Sequence, residues 1–96
     1  MAKRTPRQQS KHNKGVQASV DYYTEQGYKV QADLRGHEQP ETIGGRRPDV
    51  IAQNAQETVI VEVETKESFE KDKDQQQTFK EYADSHKDVR FRRKTV

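Results

Sequence analysis

Several residue types that define whole classes of protein are missing or scarce in this chain. Cysteine and tryptophan are absent from its 96 residues, and only 28% of the residues are hydrophobic. Without cysteine the chain has neither a disulfide framework nor a thiolate zinc site. No apolar run approaches the roughly 18 residues of a membrane-spanning helix, and no apolar stretch follows the basic amino terminus as it does in a signal peptide. These absences predict a cytoplasmic protein with no membrane partner.

The low apolar content also bounds the size of the core. A chain of 96 residues forms one small domain, and typical domains reach about 45–50% on a slightly broader apolar count. We therefore expect a thin core, for which a homodimer would supply extra stability.

Basic and acidic residues are unevenly distributed, although the net charge is only +2. Residues 1–15 contain five lysines and arginines and no acid, and residues 87–96 contain five against a single aspartate. Acidic residues dominate positions 62–74 instead. A metal-dependent enzyme acting on a polyanion needs this arrangement, because basic ends attract phosphate while an acidic centre holds the cation. Solubilising tails would give the same basic ends, and this alternative stays open.

The first half of the chain predicts an arm, a helix, a strand and a loop. Residues 1–12 are polar and basic without apolar periodicity, which predicts a disordered basic arm. Apolar residues at helical spacing predict a helix over 13–26, and alternation predicts a strand over 28–34. Residues 36–45 contain three glycines and a proline and are expected to form a loop.

The second half predicts a strand hairpin, a helix and a last strand. Two apolar strands around 50–52 and 59–63 are joined by a polar turn. Ser68 is the expected N-cap of the second helix, and residues 89–96 alternate as an edge strand. Residues 13–96 are thus expected to form one domain with a three- or four-stranded mixed sheet flanked by two helices. The side chains expected to be buried are those of Val50, Ile51, Val59, Val61, Val63 and Phe79.

Three acids stand at the ends of the two apolar strands. Side chains alternate faces along a strand, so Glu62 and Glu64 point the same way and the valines between them point the other way. Pairing of the strands as a hairpin brings Asp49 beside the two glutamates. Converging carboxylates at the rim of a buried sheet are costly unless a cation or solvent compensates them, and oxygen ligands of this kind suit a divalent metal. Solvated acids on an edge strand are the open alternative.

The sequences Pro48-Asp49 and Glu62-Val63-Glu64 resemble the signature of the PD-(D/E)XK nuclease superfamily. That signature is Pro-Asp at the head of one strand, then an acid, any residue and a lysine on the next. The order of elements resembles the archaeal Holliday-junction resolvases in particular. The resemblance implies a restriction-endonuclease-like α-β-β-β-α-β core and a DNA endonuclease that hydrolyses phosphodiester bonds. It also implies that Asp49, Glu62 and the carbonyl of Val63 hold Mg²⁺ or Mn²⁺.

One position departs from the signature. Glu64 stands where the superfamily has the lysine that positions the attacking water and offsets phosphate charge. Glu64 could instead ligate a second metal or act as a base, and a continuing strand would present Lys66 on the same face. The slipped register Glu64-Thr65-Lys66 also restores acid-any-lysine. The expected catalytic residues are therefore Asp49, Glu62, Glu64 and Lys66, and a catalytically inactive DNA-binding or interaction module is the alternative function.

Further residues are assigned around this centre. The resemblance places a glutamine of the following helix at the metal, and Gln75 or Gln76 fits, although a partly exposed amide is the alternative. The histidines His12, His37 and His86 lack ligand spacing and are expected at the surface. DNA contacts are expected beside the centre, on the last strand and on the basic arm: Arg46, Arg47, Arg90, Arg92, Arg93, Lys11 and Lys14.

Overall fold

The computed structural model describes residues 5–96, apart from the side chain of residue 67, and within this range it contains three helices and four strands. In chain order they are α1 (Pro6–Glu25), β1 (Lys29–Ala32), β2 (Val50–Gln53), β3 (Thr58–Glu64), α2 (Lys66–Lys71), α3 (Lys73–Ser85) and β4 (Val89–Thr95).

The four strands form one mixed sheet in the order β1-β2-β3-β4. Strand β2 pairs antiparallel with β1 and with β3, whereas β4 pairs parallel with β3. A parallel pair needs a crossover, and α2 and α3 supply it. This confirms the predicted α/β class and restriction-endonuclease-like core, with a short extra helix before the second long one.

The sheet is covered on both faces. Helix α1 packs on the face that carries Val59, Val61 and Val63, and α3 lies on the opposite face, where Phe79 is fully buried. All six side chains predicted to be buried are buried. None of the helices within residues 5–96 combines the length and the apolar character needed to cross a membrane.

Helix α1 begins at Pro6, seven residues before the predicted start. Thr5 accepts a hydrogen bond from the Gln8 N–H and the Gln8 side chain accepts one from the Thr5 N–H, which forms a capping box. Proline at the first helical position is pre-organised for a helix. The prediction of a disordered arm is therefore wrong for residues 5–12, and the rest of that arm, residues 1–4, lies outside the described residues.

The second helical region also starts earlier than predicted and is broken in two. The N-cap is Thr65, not Ser68, because Thr65 and Ser68 form a reciprocal capping box. Asp72, with φ −102° and ψ 23°, separates α2 from α3 and makes no side-chain cap hydrogen bond. This break sets the rotational phase of α3 over the sheet.

Gly15 lets α1 approach the sheet closely. A Cβ added there would lie 2.7 Å from the Val63 Cγ1 atom and 2.8 Å from the Val96 Cγ1 atom. We expect Gly15→Ala to lower the melting temperature by about 4–8 °C, since overpacking costs about 1–3 kcal/mol and exceeds the gain of about 1 kcal/mol in helix propensity. Thermal unfolding of both proteins, with exposed Lys14→Ala as the control, measures this. A stabilised Gly15→Ala variant would contradict the close approach.

Candidate metal centre

Asp49, Glu62 and Val63 meet where β2 begins and β3 ends. Val50 is paired with Val61 across the two antiparallel strands. Asp49, which precedes Val50, therefore lies beside Glu62, which follows Val61. The Asp49 N–H donates to Glu62 Oε2 at 2.8 Å, and the Val63 N–H donates to Asp49 Oδ2 at 2.8 Å. The N–H and C=O of one strand residue point to the same side, so the Val63 carbonyl also faces the Asp49 side.

Gln75 joins these residues from α3. Its Nε2 donates to Glu62 Oε1 at 2.7 Å. Gln76 has a different role, because its amide donates to the Phe69 carbonyl and its oxygen accepts from Arg93. Of the two glutamines considered from the sequence, Gln75 is therefore the one that contacts the acidic residues.

Glu64 lies on the same face as Glu62, but its surroundings differ. It is 1% exposed, and its Oε2 accepts a hydrogen bond from the Ser68 hydroxyl at 2.6 Å. Lys66 does not lie on that face as part of a continuing strand: β3 ends at Glu64, and Lys66 is the first residue of α2 and is exposed. The prediction of a continuing strand is wrong because the Thr65 capping box starts a helix there.

Burial leaves the two glutamates without a compensating positive charge. Within residues 5–96, no lysine or arginine forms a salt bridge with Glu62 or Glu64. Burial raises the pKa of Glu62 to about 9, with the charge of Asp49 adding to the shift. Burial also raises the pKa of Glu64 to about 7; the Ser68 hydroxyl opposes this shift and Asp72 adds to it. A cation would relieve both penalties.

The residues present are suitable ligands for a divalent cation, but they do not form a complete coordination shell. Two carboxylates and a backbone carbonyl are the hard oxygen ligands that Mg²⁺ and Mn²⁺ accept. In the described part of the chain, however, no three aspartate, glutamate, histidine or cysteine side chains are arranged as a metal site. The Glu62 oxygens face the Asp49 N–H and the Gln75 amide instead. Binding an ion therefore requires Glu62 to exchange at least one of these hydrogen bonds.

His12 is a residue of this centre that the sequence analysis placed at the surface. Its side chain is 6% exposed, and its Nε2 lies 3.2 Å from Asp49 Oδ1. That assignment is wrong because α1 starts earlier than predicted, which places His12 one turn before Val16 on the buried stripe. Extending the apolar spacing of α1 back by four residues would have found it.

The predicted DNA contacts do not form one surface. Arg46 and Arg47 are exposed in the loop that immediately precedes Pro48, and Lys11 and Lys14 are exposed on α1.

The three arginines of β4 alternate between the faces of the sheet. Arg93 lies on the face of the glutamates, 5.1 Å from the centre of the Phe69 ring. Arg90 and Arg92 lie on the other face, where Arg90 forms a bidentate pair with Glu57 and Arg92 donates to the Tyr23 hydroxyl. Of these three arginines, only Arg93 shares a face with the candidate centre.

A groove of about 770 Å³ lies away from the carboxylates. It runs between α3 and β4 and is lined by basic and aromatic side chains that include Lys73, Lys80, Phe91 and Arg93. Lys73 forms a salt bridge with Glu70, and Lys80 forms one with Asp84. The positive charge of both lysines is therefore partly neutralised. A groove without convergent reactive groups offers no chemistry of its own, so the acidic residues are the candidate site.

Comparison with known proteins gives one family. The family model described as AHJR-like (REase_AHJR-like) matches residues 4–93, which includes every element from α1 to most of β4. The comparison with curated proteins found no match to the chain.

Proposed function

Since the chain belongs to the AHJR-like family of restriction-endonuclease-like proteins, we propose that it is a metal-dependent, resolvase-like DNA endonuclease that hydrolyses phosphodiester bonds. The family indicates a nuclease. The dependence on Mg²⁺ or Mn²⁺, DNA as the substrate and the roles of single residues are part of the proposal.

The observation that carries the proposal is the junction of Asp49 with Glu62 and Val63. The Asp49 N–H holds the Glu62 carboxylate, and the Val63 N–H holds the Asp49 carboxylate, across the strand pair. Both glutamates of β3 are buried without a basic partner in the described residues. Burial of ionised acids costs stability, and a bound cation offsets that cost.

Each residue of the centre has a definite task in this proposal. Asp49, Glu62 and the Val63 carbonyl would hold the ion, and Gln75 fixes the orientation of Glu62. A divalent ion bound there supplies positive charge that polarises a phosphodiester and lowers the pKa of a nearby water. Arg46 and Arg47, next to Pro48, attract the DNA backbone toward these residues. Glu64 is assigned no step in the reaction, because it occupies the position of the superfamily lysine and carries the opposite charge.

A specific observation favours a second function, that of an inactive DNA-binding module. Glu64 occupies the position of the superfamily lysine, and Lys66 does not replace it because it lies exposed on α2. Such a protein would still bind DNA through its exposed basic side chains. Its affinity would fall by roughly 0.9 log units per log unit of salt for each phosphate contacted on duplex DNA.

A cleavage assay separates the two functions. Labelled duplex, single-stranded, flapped and four-way DNA are incubated with the protein and Mg²⁺, Mn²⁺ or EDTA. We expect cleavage of at least one substrate with metal and none with EDTA or with Asp49→Asn, which keeps an acceptor for the Val63 N–H but removes the charge. Asp21→Asn, exposed on α1, is the matched control. Salt-dependent binding without cleavage would leave the inactive module as the function, and no binding at low salt would contradict both.

A further inference from the structure

We infer that His12 is a further ligand of the metal and that it makes the centre select Mn²⁺, or a transition-metal ion of similar chemistry, over Mg²⁺. The inference rests on the proposed function, because it concerns the same ion. It goes beyond that function by naming a nitrogen ligand and the metal preference that follows from it.

The position of the imidazole is the first support. His12 Nε2 lies 3.2 Å from Asp49 Oδ1, yet within residues 5–96 neither ring nitrogen of His12 has a hydrogen-bond partner. The nitrogen and the oxygen therefore lie side by side without the N–H pointing at the carboxylate. Two ligands at right angles around an octahedral ion, each about 2.1 Å from it, are about 3.0 Å apart. The observed separation suits two atoms that share an ion.

Burial is the second support. An imidazole that is 5% exposed and makes no hydrogen bond in the described residues bears a desolvation cost, and its charged neighbour is the Asp49 carboxylate. The Asp49 side chain keeps 14% of its surface exposed, which leaves an opening toward solvent beside His12. A cation entering there would satisfy the Nε2 lone pair and the Asp49 charge together.

The position of His12 is set by the fold rather than by a mobile loop. It lies on the first half of α1, three residues before Gly15, where the helix packs tightly against Val63 of β3. The capping box at Thr5 holds the helix start about two turns earlier. A ligand on a rigid helix is delivered with little conformational entropy cost.

The chemistry of the ligands sets the preference. Mn²⁺ is a transition-metal ion that accepts an imidazole nitrogen beside oxygen ligands, whereas Mg²⁺ strongly favours oxygen and readily keeps water in place of a weak ligand. Replacing His12 should therefore weaken Mn²⁺ binding much more than Mg²⁺ binding. A histidine that only orients Asp49 would affect both ions by the same factor, since both use that carboxylate.

Isothermal titration calorimetry with MgCl₂ and with MnCl₂ tests this on the full chain. We expect the wild type to bind Mn²⁺ at least about tenfold more tightly than Mg²⁺. His12→Gln and His12→Ala should each lose roughly 10- to 100-fold in Mn²⁺ affinity and less than about threefold in Mg²⁺ affinity. His86→Ala, at the exposed end of α3, is the matched control and should change neither.

Electron spin-echo spectroscopy of the Mn²⁺-loaded wild type gives a readout that needs no variant to fold. A nitrogen modulation that disappears in His12→Gln supports ligation, and its absence from the wild type overturns the inference. Equal losses for the two metals, or no loss, also overturn it while leaving the proposed function intact. If the wild type binds neither ion, the proposed metal-dependent function fails together with the inference.

Discussion

Replacing Glu62 by glutamine is expected to stabilise the metal-free protein and at the same time to abolish its response to metal and its cleavage of DNA. Glutamine has the shape of a protonated glutamate, so it can accept from the Asp49 N–H and donate to a rotated Gln75 amide. It no longer supplies a charged ligand. Without the ion, the transition state of phosphodiester hydrolysis loses several kcal/mol of stabilisation, which lowers the cleavage rate by a factor on the order of 10³.

The gain in stability should depend on pH. Burial raises the pKa of Glu62 from 4.5 to about 9, so the folded state holds this proton more tightly than the unfolded state does. The stability that the protonated group contributes is complete below pH 4.5 and is lost progressively as the pH rises toward 9. Glutamine cannot ionise, and Glu62→Gln therefore gains most over the wild type at the alkaline end of this range.

Thermal unfolding in EDTA between pH 5.5 and 8.5 measures this difference. We expect the melting temperature of Glu62→Gln to exceed that of the wild type by an amount that is smallest at pH 5.5 and grows to about 5 °C or more at pH 8.5, equivalent to about 1 kcal/mol. Comparing the proteins at each pH cancels the contributions of groups that do not interact with Glu62. The exposed Glu38→Gln is the control. A variant that is less stable at pH 8.5 would show that the buried carboxylate is already compensated.

The strand hairpin could be predicted from sequence because two independent signals agree there. Alternation places Glu62 and Glu64 on one face of β3, and the Pro48-Asp49 pair marks the start of β2. Antiparallel pairing then fixes which residues are neighbours, and the structure confirms that Asp49 lies against Glu62. The signals are local in the chain and require no knowledge of how the helices pack.

Sequence reasoning failed where capping geometry decides the structure. The helix at the amino terminus is initiated by Thr5 and Gln8, whose effect is invisible to a search for apolar periodicity, and so His12 was missed. Thr65 ends β3 and starts α2, which removes Lys66 from the face of the glutamates. Polar side chains at element boundaries determined both outcomes.

The choice between Gln75 and Gln76 illustrates a third limit. The two are adjacent in sequence, and the resemblance allowed either. The break at Asp72 rotates α3 so that Gln75 contacts Glu62 while Gln76 contacts Arg93. A helix phase set by an uncapped junction cannot be inferred from composition. The homodimer and the DNA contacts remain predictions, because both concern molecules outside a single chain.

Replacing Glu64 by lysine is expected to raise DNA cleavage by about 10- to 100-fold, or to produce cleavage where the wild type shows none. The substitution creates acid-any-lysine at positions 62–64 and places a positive charge on the face of Glu62, where the developing charge of the phosphate would be stabilised. Burial of the ammonium is offset by the adjacent carboxylates. Ser68 loses its acceptor on Glu64 but lies 3.3 Å from the Thr65 carbonyl as a second one.

Initial rates on the preferred DNA, with saturating Mn²⁺ at pH 7.5, provide the measurement, and Glu64→Gln is the matched control. Glutamine removes the negative charge without adding a positive one, so a rise confined to lysine identifies the positive charge as the cause. An equal rise in both variants would instead assign the effect to relief of repulsion between Glu64 and the phosphate. If both variants lose activity, Glu64 itself takes part in the reaction as a metal ligand or a base. This chain would then cleave DNA without the lysine of the PD-(D/E)XK signature.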